Sequence, residues 1–178
     1  MGLNNLRDRL CVVQISAGDG DAHVVHFPKA EYNAPNLKKL LADRNIRKLY
    51  HFARFDVAII EQYLGVRAAP LYCTRTASRL VRTFTDKHGL KELCKDLLGV
   101  DISKQQQSSY WGAETLTNEQ VDYAASDVLY LHRIKEKLDV MLERENRVLL
   151  AQELMDCIPA RSSLDLAGWA DVDIFAHS

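Results

Sequence analysis

Two aspartates sit where the local pattern calls for apolar side chains. In the run from Val121 to Leu131, with Tyr123 set at zero on a helical wheel of ~100° per residue, Tyr130, Ile134 and Met141 fall within about 20° of it. Asp127 falls at roughly 40° on the same wheel, inside the apolar stripe. An unpaired buried carboxylate is costly, so something must compensate it. Tyr123 lies one turn earlier, which puts a phenol beside that carboxylate on one helix face. The second case is Asp56, with Ile59 and Ile60 three and four residues on. Each has a plainer explanation: Asp127 as a backbone cap or an arginine partner, Asp56 as an acid favoured by a helix dipole. Two inward acids from separate elements are more economically explained by a shared divalent cation, and hard oxygen ligands suit Mg²⁺ or Mn²⁺.

The elements that must position these residues are readable in outline. Leu10 to Ser16 and Ala22 to Phe27 are β-rich and flank Ala17-Gly-Asp-Gly20, which predicts a hairpin. Pro35 and Asn36 open a helical stretch to Asp43; Lys48 to Phe52 reads as a buried strand leading into a helix from about Arg54 to Leu64. Leu71 to Cys73 is another short strand, and from Thr74 the pattern is helical, with breaks at Asp86 to Gly89, Gly99 to Ser109 and Pro159. Thr117-Asn-Glu-Gln120 fits a capping box at the start of the helix carrying Tyr123 and Asp127. Strands first and helices later, joined by βα units, predict an α/β domain with a mixed sheet flanked by helices.

Composition narrows the function classes. The 178 residues, 47% hydrophobic and 26% charged, suit one domain with a real core, and exclude collagen-like, disulfide-stapled and disordered chains. Twenty-three basic and 24 acidic side chains nearly cancel, so any nucleic-acid binding must be local. The local candidate is the stretch from Arg75 to Lys104, with seven basic residues against four acidic ones; the plainer reading is a solvated helical face. Beside it Phe84, His88, Tyr110 and Trp111 offer rings for base stacking, although Trp111 equally suits a core. The four cysteines have no C-x-x-C pair and read as reduced thiols, which predicts a cytoplasmic protein. No apolar run approaches the ~20 residues of a membrane span.

The residues His51-Phe-Ala-Arg-Phe-Asp56 and Tyr123-Ala-Ala-Ser-Asp127 resemble two acidic motifs of the DEDDy 3′-5′ exonucleases, the RNase D group of the RNase H-like (DnaQ-like) fold. The resemblance continues through Thr83 to Leu93 and Ser103 to Trp111, and covers most of the chain from Gly2 to about Asp139. Within that group the likeness is greatest to its compact nano-RNase C branch, which degrades very short RNAs and whose tail resembles Leu164 to Ser178. The resemblance implies two divalent ions at the complete site, with Asp127 a direct metal ligand, Asp56 supporting the second metal directly or through water, and Tyr123 orienting or deprotonating a water. It implies substrate contacts at Leu3, as a wedge between bases where the plainer reading is packing of the turn, and at His51, Arg54, Phe55, Lys87, His88, Gln107 and Trp111. The implied activity is 3′-5′ hydrolysis of short single-stranded RNA, down to dinucleotides, to nucleoside 5′-monophosphates. A homo-oligomer, an octameric ring in that branch, is implied as well.

The sequence departs from the family pattern in one important place. The family's first motif, Asp-x-Glu on a central strand, precedes a Gly-Leu turn that Gly2-Leu3 matches, and no Asp-x-Glu stands before that turn in this sequence. Asp8, Asp19 and Asp21 follow the turn and cannot take its place. The expectation is that Met1 is an internal methionine, that the natural protein has an upstream segment, and that without it hydrolysis is weak or absent. Tyr110 stands where the family pattern has Asp, which puts a loop hydrogen bond in question. The expected organisation is an exonuclease domain over 1–145 and a helical tail over 146–178, either part of that domain or a contact between subunits. The rivals are an RNase D-type RNA-processing or DNA exonuclease, and a catalytically dead nucleic-acid-binding or assembly subunit.

Overall fold

The computed structural model describes residues 8–177, so Leu3 and the turn around it lie outside the described residues. Strand β1 (Val12–Ile15) and strand β2 (His23–His26) form the expected antiparallel hairpin, with Val13 opposite Val25 and Gln14 opposite Val24. Gly18, at φ +85°, is needed at its turn twice over: a Cβ there would also lie 2.8 Å from the His132 ring. Helix α1 (Pro35–Ala42), strand β3 (Lys48–Tyr50), helix α2 (Ala53–Leu64) and strand β4 (Leu71–Cys73) follow, with β3 and β4 parallel and Tyr50 opposite Cys73. Next come α3 (Thr74–Val81), α4 (Leu90–Leu93), a π-helical turn Cys94–Leu98, α5 (Asn118–Leu129), α6 (Leu131–Arg144) and α7 (Val148–Leu164).

The expected mixed pairing flanked by helices is present as two small two-stranded sheets, β1 with β2 antiparallel and β3 with β4 parallel. Among the described residues no strand joins them. The expected break at Pro159 is corrected, because α7 runs through it. Proline removes one backbone donor, but Met155, Ile158 and Pro159 are all buried, and packing of that face against α2 outweighs the lost bond.

Helix α2 belongs to two apolar clusters at once. Ala53 and Val57 join Leu71, Leu93, Ile134, Leu138 and Met155 in one; Ile59, Ile60 and Leu64 join Leu10, Phe27, Leu37 and Leu41 in the other. Its first turn carries Asp56, so the acid is set by a helix packed into both clusters. A cavity of about 860 Å³ opens between the sheets, walled by Val12, Val13 and Gln14 on one side and Leu49, Tyr50 and His51 on the other. Among the described residues no helix is long and apolar enough to cross a membrane.

Candidate active site

Asp56, Tyr123 and Asp127 all line that cavity. Asp127 is delivered by α5, whose start is fixed by the capping box read from the sequence. The Gln120 backbone N–H donates to Thr117 Oγ1 (3.3 Å), and the Thr117 N–H donates to Gln120 Oε1 (3.0 Å). The Gln120 amide also donates to Ser109 Oγ (3.0 Å) and to the Tyr110 carbonyl (3.2 Å), tying the preceding loop to the helix. Tyr110 thus meets α5 through its backbone carbonyl. Helix α2 delivers Asp56 just after β3, its Ala53 N–H pointing at Cys73 Sγ (3.4 Å) on the neighbouring strand.

Burial first, and the neighbouring charge of Asp127 second, push the Asp56 carboxyl up to about 7. Burial pushes Asp127 up to about 6, with the Tyr123 hydroxyl pulling it back, and Tyr123 itself is driven up to about 12 by burial and by Asp127. The charge of Asp127 is also felt at Cys94, raised to about 11 by burial and then by that charge. Two carboxylates therefore face one space close enough to repel. Among the described residues neither forms an ion pair, so the arginine-partner explanation of Asp127 is not realised there. Two desolvated, mutually repelling hard-oxygen donors fit a divalent cation, which would favour both charged forms. Among the described residues no third acid, histidine or cysteine joins them to complete a cage.

The expected substrate contacts divide into two groups. His51, Phe55, Gln107 and Trp111 lie on the cavity wall. Thr74 Oγ1 donates to the Tyr50 carbonyl (3.2 Å), so it accepts from His51 Nδ1 (2.9 Å), and the imidazole carries its proton on Nδ1. Burial, and then the charge of Arg75, lower His51 to about 4, so it is neutral near pH 7. Trp111 is buried, its ring 5.9 Å from that of Tyr123, which makes it the backing of the tyrosine.

Arg54, Lys87 and His88 fall away from the wall. The Arg54 guanidinium is engaged by Asp165, Nε donating to Oδ2 (2.6 Å) and Nη2 to Oδ1 (2.8 Å), and by the Ala170 carbonyl (2.7 Å). His88 is buried against Ser78 Oγ (2.9 Å). Lys87 serves through its backbone, its N–H bonding Thr85 Oγ1 (3.1 Å) and its carbonyl accepting from buried Arg82 (3.0 Å). Phe52 lines the cavity and was not singled out from the sequence, because nothing local distinguishes it from the other phenylalanine of its motif.

A half-buried acid pair with a tyrosine one turn before the second acid, on an α/β frame, defines the class of 3′-5′ exonucleases. A family profile of that description matches residues 1–143, and the chain belongs to this family, whose members depend on divalent metal. Among individual proteins, it is 34% identical over 146 residues to Ribonuclease D of Granulibacter bethesdensis, covering 82% of this chain and 36% of that one. It resembles Brucella melitensis NrnC with bound Mg²⁺ (TM-score 0.95, 55% identity) and bound to pGG (TM-score 0.96, 56% identity), each over 99% of this chain and 86% of the other. The likeness to Escherichia coli RNase D has a TM-score of 0.76 at 25% identity, over 88% of this chain and 42% of that one. The chain spans about a third of the length of the curated ribonucleases D that it matches.

Proposed function

We propose that this chain is catalytic machinery of a 3′-5′ exoribonuclease that hydrolyses short oligoribonucleotides, down to dinucleotides, to nucleoside 5′-monophosphates. The observation that carries the reading is the coupled carboxylate pair, Asp56 from α2 and Asp127 from α5, facing one cavity with Tyr123 beside it. Asp56 and Asp127 would hold Mg²⁺ or Mn²⁺. When bound, a divalent ion supplies charge neutralisation at the phosphate and lowers the pKa of an attacking water. Tyr123, kept protonated by burial and by Asp127, offers a hydroxyl that orients this water. His51, neutral near pH 7, Phe55, Gln107 and Trp111 would form the substrate wall. The size preference is supported by the likeness to a nuclease bound to pGG.

The segment 146–178 belongs in this reading to the same domain, since α7 packs along α2, and its exposed apolar residues would meet other copies in a homo-oligomer. The second reading, a nucleic-acid-binding subunit without activity, is favoured by the ligand count, as no group of three or more acids, histidines or cysteines that could hold a metal ion is found among the described residues.

One assay separates the readings. With Mn²⁺ present, the protein is offered a 5′-phosphorylated diribonucleotide, a long single-stranded RNA and a single-stranded DNA. Preferential cleavage of the diribonucleotide, lost on Asp127→Asn, supports the proposal. Preference for either long strand favours an RNA-processing or DNA exonuclease instead. Nucleotide binding with no cleavage of any substrate favours the silent subunit.

A further inference from the structure

Phe52 is the residue of the cavity wall that folding explains least. It precedes α2 at φ 74° and ψ 46°, the left-handed region, where a Cβ is disfavoured and glycine or asparagine are at ease. Its ring gains little from burial in return, being 44% exposed, and no side-chain hydrogen bond caps the helix there. A bulky residue held in this region is strained, and such strain persists where the surroundings impose it.

What surrounds the ring is suited to a flat, uncharged ring that carries an anion beside it. The Arg75 guanidinium carbon lies 5.2 Å from the ring centroid, Arg75 lines the same cavity, and among the described residues no carboxylate forms an ion pair with it. Asp56 follows Phe52 by one helical turn, so a group resting on the ring is within one nucleotide's reach of the acid pair. Tyr110, 73% exposed, stands on the same wall.

We infer that Phe52, steadied by Arg75, is the surface on which a nucleotide base stacks while its phosphate lies at Asp56 and Asp127. The inference rests on the nuclease reading and adds to it a specificity-determining residue. Stacking on a phenyl face tolerates every base but rejects phosphate esters that have none, so the site selects nucleotides as a class and not a base. The basic side chain under the ring serves the cation–π contact and the phosphate charge together.

Calorimetric titration of the Mn²⁺-loaded protein with adenosine 5′-monophosphate and with ribose 5-phosphate tests this, using Phe52→Asn and Phe52→Tyr. Asparagine keeps the left-handed backbone and removes the ring. The expected result is about a tenfold loss of adenosine 5′-monophosphate affinity in Phe52→Asn, unchanged ribose 5-phosphate affinity, recovery in Phe52→Tyr, and a Tm that stays level or rises. Equal adenosine 5′-monophosphate affinity in Phe52→Asn overturns the inference. So does a lowered Tm with both ligands weakened alike, which is the mark of a ring serving the fold. Either result leaves the nuclease reading standing if the wild type still cleaves the diribonucleotide and Asp127→Asn does not. Failure of the folded wild type to bind either ligand or to cleave overturns both.

Discussion

The Asp56 carboxyl is pushed up to about 7 and that of Asp127 up to about 6, against about 3.9 for the same side chain in an unfolded chain. From about pH 4 to 7 the folded protein therefore binds more protons at these positions than the unfolded one, and their contribution to stability falls as pH rises. His51, lowered to about 4, acts in the opposite direction, favouring the fold as pH rises from about 4 to 6.5. The aspartate effect is isolated by comparison with Asp56→Asn in metal-free buffer. The variant should gain on the wild type as pH is raised, by on the order of 5 °C in Tm near pH 8, with no advantage near pH 4, and Mn²⁺ should erase the difference at pH 8. Thermal melts across this range check it; an advantage independent of pH contradicts the buried-acid account. In activity, Asp127→Asn deletes a charge from the ion's cage and should lower kcat/KM by about a hundredfold or more. Tyr123→Phe removes only a water-orienting hydroxyl and should lower it by about tenfold. Equal losses in the two variants would place the tyrosine in the proton transfer itself.

At the scale of elements, α2 carries the most consequence, because its first turn is held from outside. Arg54 pairs with Asp165, itself only 8% exposed; Arg161 reaches the same carboxylate at 3.1 Å, and Ser162 Oγ donates to the Arg54 carbonyl (3.0 Å). The end of α7 thus grips the turn that presents Asp56. Asp165→Ala leaves two guanidiniums without their carboxylate and should destabilise the fold by about 2 kcal/mol, reduced from a fully buried pair because Arg54 is partly exposed. Mn²⁺ affinity should fall with it, measured by calorimetry at a temperature where the variant remains folded; undiminished affinity would mean that α2 holds its place unaided. Thr117→Ala, which removes the cap of α5, should cost about 1 kcal/mol in chemical denaturation. These helices illustrate what a sequence discloses. Capping box, hairpin turn and apolar periodicities are local signals, and the element order follows from them. The pairing of Arg54 leaves no local signal because its partner lies 111 residues away, nor does the conformation of Phe52, because a φ angle leaves no trace in residue types. The helix through Pro159 required knowledge of what packs on it.

For the molecule as a whole, the two sheets meet across a cavity, and α2 is the element common to both apolar clusters. Among the described residues no ladder of hydrogen bonds spans the two sheets, so α2 is what couples them. Occupancy of the cavity should then stiffen both halves together. Asp56 and Asp127 come from α2 and α5, and α5 packs on β1 and β2, so an ion held by both acids ties one sheet's helix to the other's. A second surface concerns assembly. Leu149 is 72% exposed, Trp169 48%, Ile174 48% and Phe175 91%, all in the last thirty residues, more apolar area than a solvated terminus needs. If copies of the chain meet there, Trp169→Asp and Phe175→Asp together should shift the sedimentation profile to smaller species. The Arg54–Asp165 contact lies inward of these side chains, so Mn²⁺ affinity per chain should be preserved. A wild type that sediments as a monomer at all concentrations refutes the assembly. A double variant that loses metal binding along with mass would instead assign these side chains to the grip on α2, linking the end of the chain to the acid pair.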